Sequence, residues 1–301
     1  MAVTPTYSTR PSFLGTANQD RDAPFVCAGV PFDIGTSHRA GARFGPLAIR
    51  AISRMLVDGV NPMNWRCPLE LDVADIGDFE IALGDTMESL KLIERQAAAC
   101  KHLVAFGGDH AITLPLLRAL AGREGPLGLV HFDAHVDTWH DTFGQKYGHG
   151  SVFYHAIEEG LVDPRRMIQV GIRSPLDRPI WDWTVGKGVE IWTAQDVHLR
   201  GPEAAAAAIR AKVAKGRTYL SFDIDALDPS QAPGTGTPEV GGLWTWQAKA
   251  ILDRLAGIDF AGMDVVEVSP PYDIAEITAL AAATIAWQYL SLAAPHSSLK
   301  A

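Results

Sequence analysis

A chain of 301 residues, 47% hydrophobic and 20% charged, has the composition of an ordinary soluble globular protein. It is long enough for one large α/β core and lacks the roughly 18-residue apolar run of a membrane span. Its formal net charge of −9 argues against a nucleic-acid partner and favours the approach of a small cation. The opening MAVTPTYSTRPSFLG has no apolar secretory core, and Cys27, Cys67 and Cys100 are widely spaced, which suits a reducing cytoplasm and buried thiols.

The chain is expected to form a single domain over 1–301, with an N-terminal arm at 1–20 and a frayed tail at 295–301. In chain order, PFVCAGV, LDVADIG, HLVAFGG, LGLVHFD, MIQVGIR, VEIW, TYLSFDID and AGMDVVEV are short apolar runs rich in β-branched residues, and each predicts a strand. GPLAIRAISRML, TMESLKLIERQAAAC, PEAAAAAIRAKVAKG and TWQAKAILDRLAG alternate with them as helices. Asp85 is placed to cap the second of these, and a last helix is expected from Glu276 to Leu292. Strands apolar on both faces imply a mostly parallel sheet of about eight strands between two helical layers, a three-layer α/β/α fold.

Ligands of such sheets collect at the carboxyl ends of the strands. The unusual residues fall there: Asp109 and His110 after HLVAFGG; Asp133, His135 and Asp137 after LGLVHF; Asp223 and Asp225 ending TYLSFDID; and Glu267 in AGMDVVEV. In extended backbone, residues i and i+2 share a face, so Asp133 can converge with His135 and Asp223 with Asp225. A lone aspartate at a strand end is ordinarily a turn or helix cap. Four clustered carboxylates are another matter, because burying them unpaired costs several kcal/mol each. Two divalent ions balance four carboxylates, and with two imidazoles and no thiolate the donor set suits manganese, or nickel, cobalt or iron, better than a structural zinc. Two such ions bridge and acidify one water, so the reaction class is hydrolysis.

GGDH (107–110), FDAHVD (132–137), SFDIDALDP (221–229) with APGTGTPEVGGL, and VEVSP (266–270) resemble the ordered signatures of the ureohydrolases, the agmatinases, arginases, guanidinobutyrases and their relatives. GVPFDIGTSHRAGARFGPLAIR (29–50) extends the resemblance over nearly the whole chain. It implies two Mn2+ per chain, with Ni2+ or Co2+ as substitutes. His110, Asp133, Asp137 and Asp223 would hold one ion and Asp133, His135, Asp223 and Asp225 the other, with Asp133 and Asp223 bridging. It further implies attack of a metal-bridging hydroxide on a guanidinium, giving an amine and urea. In that reading Glu267 orients the guanidinium by a bidentate charge-assisted pair, His149 passes a proton to the leaving amine, and these two with Asp137 form the catalytic set. A homotrimer or homohexamer is implied as well.

The loop TWHDTFGQKYG (138–148) should meet the far end of the substrate. Trp139, Asp141, Phe143 and Tyr147 suit the ammonium of agmatine, with Trp139 and Asp141 as substrate-binding candidates beside His149 and Glu267. Lys146 would instead suit the carboxylate of 4-guanidinobutyrate or 3-guanidinopropionate. Trp181 and Trp183 either extend this wall or simply pack. RAGARFG is read as a structural loop, and GTGTPEVGG, which lacks the third glycine of a dinucleotide fingerprint, as part of the active site. Agmatine is the first expectation. A metallophosphoesterase and an inactive subunit of a hetero-oligomer are the readings from other classes.

Overall fold

The computed structural model describes residues 11–56 and 60–296. The eight expected strands all form: β1 (Phe25–Val30), β2 (Val73–Asp78), β3 (Leu103–Gly107), β4 (Leu127–Phe132), β5 (Val162–Ile172), β6 (Glu190–Thr193), β7 (Thr218–Asp223) and β8 (Phe260–Val266). They make one sheet, in the order β2-β1-β3-β8-β7-β4-β5-β6, with every pairing parallel. The chain leaves β3 and returns at β4 with a gap that β8 and β7 fill later. Thus the four central strands, β3, β8, β7 and β4, lie side by side although they come from distant parts of the sequence.

Nine helices lie among the described residues: α1 (Gly45–Ser53), α2 (Thr86–Ala97), α3 (Thr113–Glu124), α4 (Val152–Glu158), α5 (Arg178–Gly186), α6 (Ala194–Arg200), α7 (Pro202–Val213), α8 (Thr245–Asp253) and α9 (Ile277–Ala293). The sequence patterns identify α1, α2, α7, α8 and α9 and miss the other four. In α3 the buried residues run Thr113 to Leu117 without a break, so no polar stripe marks its period; α4 and α6 have 7 residues each, too few to show one. Asp85 caps α2 as expected, its side chain accepting from the Glu88 N–H at 3.0 Å.

Alternation along the strands divides the core. Val130, Phe132, Leu220, Phe222, Ile168 and Val170 face α7, α8 and α9, whereas Leu127, Leu129, Met167 and Tyr219 face α3 and α4. The N-terminal arm is tied down where it is described. Phe13 is buried with its ring 4.8 Å from that of Phe106, and its N–H donates to Asp75 at 2.7 Å; residues 1–10 lie outside the described residues. Of the tail expected to fray, His296 forms an isolated bridge with Arg66, and residues 297–301 lie outside the described residues. No helix among the described residues is long and apolar enough to cross a membrane.

Gly108 joins β3 to the site. Its carbonyl accepts from the Glu267 N–H at 2.8 Å, and a Cβ there would meet the backbone oxygens of Phe32 and Val30 at 2.4 and 2.5 Å. Backbone cannot yield as a side chain can, so Gly108→Ala is expected to lower unfolding stability by about 2–3 kcal/mol. Urea denaturation checks this, and a change below about 0.5 kcal/mol would contradict the tight packing.

Candidate active site

Each of the four central strands delivers a part of one cluster at its carboxyl end. His110 follows β3, Asp133, His135 and Asp137 follow β4, Asp223 ends β7 with Asp225 in the turn after it, and Glu267 follows β8. All of these are buried except His135, whose side chain is 16% exposed to the cavity. Two of them, Asp137 (φ 47°) and Glu267 (φ 65°), hold left-handed backbone that costs an ordinary residue roughly 1–2 kcal/mol. Strain of this kind persists where surrounding bonds over-determine it. Here the Asp137 carbonyl is held by the Phe153 N–H at 2.9 Å.

The six candidate ligands form two donor sets. Around His110 Nδ1 stand Oδ2 of Asp133, Asp137 and Asp223 at 3.2, 3.0 and 3.3 Å; around His135 Nδ1 stand Asp133 Oδ1 and Asp225 Oδ2, both at 3.2 Å. Asp133 therefore spans the sets, one oxygen in each. Asp223 Oδ2 stands in the first set, and its Oδ1 accepts the Asp225 N–H at 2.8 Å.

One atom tests whether this arrangement fits metal ions. His110 Nδ1 is buried and makes no hydrogen bond, although three carboxylate oxygens lie within 3.3 Å. The lone pairs converge on a point between the groups, as donor atoms around a cation do. The other ring nitrogen explains the tautomer. Nε2 lies 2.8 Å from Ser221 Oγ, and that hydroxyl donates to Asp264 at 2.7 Å, so it accepts from the imidazole. Nε2 therefore carries the proton and Nδ1 is free to ligate. Asp264 itself is fully buried and also accepts from Thr113 and Tyr219 at 2.7 and 3.0 Å. The residues fit a pair of oxygen-preferring divalent ions.

Charge alone would make the cluster costly. Burial, then Asp225 and Asp133, push the Asp223 carboxyl up. Burial favours neutral rings at His110 and His135, but the surrounding carboxylates outweigh it and raise both. Dications in place of those protons reverse the balance.

Glu267 and His149 pair beside the ligands. Glu267 Oε1 accepts from the His110 N–H and lies 2.9 Å from His149 Nδ1, while Oε2 is buried without a partner. That orphaned oxygen lies against Gly236, where a Cβ would be only 3.4 Å away. Opposite Glu267, His149 Nε2 is 2.7 Å from Ser37 Oγ. Burial opposes charge on His149, yet the Glu267 carboxylate raises it to about 9. The Ser37 N–H also points at Nε2, at 3.2 Å, a contact that only the neutral ring accepts. The nearby buried carboxylate outweighs this one long hydrogen bond, so near neutral pH the ring is charged.

A cavity of about 730 Å³ opens onto the cluster at His135, Asp137, Asp223 and His149. Trp139, Asp141 and Phe143 line it; Tyr147, Lys146, Trp181 and Trp183 do not. Lys146 lies over the Tyr147 ring at 4.9 Å, and Trp183 packs on Tyr154 at 4.9 Å. The aromatic wall is therefore narrower than the sequence implied. The loop after β5, Ser174 to Asp177, contributes a side that sequence reasoning missed; its position at a strand's carboxyl end was the available signal. Ser37 and Thr237 also line the cavity, and Thr237 Oγ1 donates to Asp225 at 3.3 Å. RAGARFG is structural as expected, with Arg43 Nε donating to Asp33 at 2.6 Å.

A family model described as the arginase family matches residues 23–291. The chain belongs to the arginase family. Arginase-family enzymes depend on a binuclear metal centre, and this chain carries the histidine and aspartate groups for one. It is 46% identical to an agmatinase of Edwardsiella ictaluri over 281 residues, 91% of this chain and 90% of that one. Its fold is similar to that of the proclavaminate amidino hydrolase of Streptomyces clavuligerus, with a TM-score of 0.90 at 38% identity over 96% of this chain and 98% of that one. A hypothetical agmatinase of Burkholderia thailandensis superposes with a TM-score of 0.89 at 42% identity, covering 96% and 92%. The arginase-family chain is thus a ureohydrolase by kinship as well as by constellation.

Because Asp133 places one oxygen in each donor set, Asp133→Ala is expected to abolish binding of both ions and lower turnover at least about 1,000-fold, beyond the roughly 10- to 100-fold loss when only a partner of a ligand is changed. Metal analysis of the purified variant beside the wild type checks this; two retained ions would contradict the bridging role.

Proposed function

We propose that this chain hydrolyses agmatine to putrescine and urea at a pair of Mn2+ ions. The observation that carries the choice of substrate is the cavity wall. Its charged groups away from the ligand cluster include the carboxylates of Asp141 and Asp177, and no lysine or arginine is among the described residues that line it. A primary ammonium is favoured there by both charge and the Trp139 face. The carboxylate of guanidinobutyrate would meet like charge, and Lys146, the residue that suits it, is turned away onto Tyr147. The similarity to agmatinases supports the same reading.

Two divalent ions, when bound, supply charge neutralisation of the carboxylates and the acidification of a water near neutral pH. The protein supplies the rest. A guanidinium is a poor electrophile and must be held still beside the reacting water. Glu267 Oε2, buried and without a partner, accepts a guanidinium N–H, while Oε1 is already engaged by His110 and His149. Glu267 stands behind His149, not on the cavity wall, so the guanidinium sits deep and its alkyl chain points back toward Trp139. His149, charged near neutral pH, holds a proton on Nε2 beside Ser37 Oγ and passes it to the departing amine. In this proposal the chain works in the cytoplasm as a homo-oligomer.

Purified enzyme loaded with manganese is expected to release urea from agmatine faster than from arginine, 4-guanidinobutyrate, 3-guanidinopropionate or guanidine; faster release from guanidinobutyrate would overturn the substrate assignment. Glu267→Gln is expected to keep both ions and to lower kcat about 100- to 1,000-fold, a split read by metal analysis alongside kinetics. His149 has its pKa raised, so the charged ring is present below about pH 9 and is lost as pH rises through that value. The kcat profile should therefore fall above about pH 9, and the residual activity of Glu267→Gln should fall at lower pH, because the carboxylate that raises His149 is gone.

A further inference from the structure

Beneath the ligands runs a row of buried polar residues, one from each of four adjacent strands and in mutual register: Gln169 on β5, His131 on β4, Ser221 on β7 and Asp264 on β8. Polar groups in the middle of a parallel sheet are costly unless bonded. Ser221 and Asp264 set the tautomer of His110, as described above. The Gln169 and His131 half of the row has had no role so far, although His131 is fully buried and its Nε2 lies 2.7 Å from Asp133 Oδ2.

The hydrogen bonds leave one assignment for that half. Gln169 Nε2 lies 2.6 Å from the Val136 carbonyl, which only accepts, so the NH2 and not the amide oxygen must face it. The same NH2 lies 3.0 Å from His131 Nδ1, which must therefore present its lone pair. The proton of a neutral His131 is then on Nε2, and it donates to Asp133 Oδ2. With its one proton on Nε2, a neutral His131 serves Asp133 as a hydrogen-bond donor and has no lone pair there for a metal ion. The same contacts exclude a charged ring, since an N–H at Nδ1 would face the Gln169 NH2. Meanwhile Asp133 Oδ1 accepts the His135 N–H at 2.6 Å. Oδ2 thus receives the His131 N–H from below and Oδ1 the His135 backbone N–H from the turn, and each oxygen keeps its remaining lone pair for its donor set.

We propose that His131, locked as the Nε2–H tautomer by Gln169, is the positioning residue that turns Asp133 so that one oxygen serves each ion. The inference rests on the binuclear reading of the site. A neutral donor suits this place because a lysine or arginine would add a buried positive charge to a cluster that two dications already balance. Phe153 closes the far side of the imidazole, ring centroids 4.3 Å apart, and keeps water from competing for the bond.

The test is a manganese titration of the full chain, followed by the spin-coupled electron paramagnetic resonance signal of paired Mn2+ and by metal analysis, with the melting temperature of metal-free protein as control. His131→Phe keeps the bulk and removes the donor. It is expected to melt within a few degrees of wild type when metal-free, to bind the second equivalent of Mn2+ about 10- to 100-fold more weakly, and to show uncoupled Mn2+ where wild type is coupled. His131→Gln, which carries an N–H to the same reach, should recover the coupled signal. Gln169→Met, which unlocks the tautomer without touching His131, should weaken the second equivalent in the same direction, and it stands in if His131→Phe does not fold. A coupled signal and unchanged affinity in both His131→Phe and Gln169→Met would overturn the positioning role alone. Failure of wild type to bind two ions would overturn the binuclear reading and this inference with it.

Discussion

Four carboxylates are buried within a few ångströms of one another, and the rest of the structure depends on how their mutual repulsion is answered. Asp133, Asp137, Asp223 and Asp225 are all at most 5% exposed. Any one of them could be neutralised by taking up a proton, but together they define a place where positive charge is stabilised more strongly than protons are. The fold is arranged to hold them in that state. Each sits at the carboxyl end of a central strand or in the turn just beyond it, where backbone N–H groups such as those of Asp225, Ala134 and His135 donate to them.

The sheet order follows from the same need. With β8 and β7 inserted between β3 and β4, the strands bearing the ligands become neighbours, and the crevice at their ends is where a doubly wound sheet opens for a ligand. Below the ligands the polar row continues the strand pattern for one more layer before the core becomes apolar at Leu129, Met167 and the ring of Tyr219, whose hydroxyl still reaches Asp264. The transition from ion cluster to hydrocarbon is thereby graded: carboxylates first, then neutral donors, then aliphatic side chains. The backbone strain at Asp137 and Glu267 is confined to this upper layer, where hydrogen bonds on either side hold it in place.

Much of the site was legible because its parts are local. FDAHVD and SFDID keep their ligands two residues apart, but the strands end at Phe132 and Asp223, so it is the turns beyond them, with Asp223 capping Ile224–Ala226, and not extended-strand alternation, that bring Asp133 to His135 and send Asp223 and Asp225 to different donor sets. The entrance was legible only in part. Trp139, Asp141 and Phe143 face the cavity, while Tyr147 and Lys146 of the same loop turn to pack on each other, because an irregular loop has no period from which side-chain direction can be read. Helices α3 and α9 show the same limit in another form. Both are buried on nearly every side, and only the length of the apolar stretch and its flanking signals separate such a helix from a strand.

What the sequence determined by itself was the succession of elements, the parallel sheet they must form, and the donor set with its demand for two dications, since these rest on short-range periodicity and on charge. What only the tertiary structure decided was which strands are neighbours and in what register. Gln169, His131, Ser221 and Asp264 are separated by 38, 90 and 43 residues in chain or reverse order. Nothing in their local surroundings marks them as a row. Their alignment, the tautomers of two histidines and the direction of Asp133 arise from strand pairing, which acts across the sheet and leaves no periodic trace along the chain.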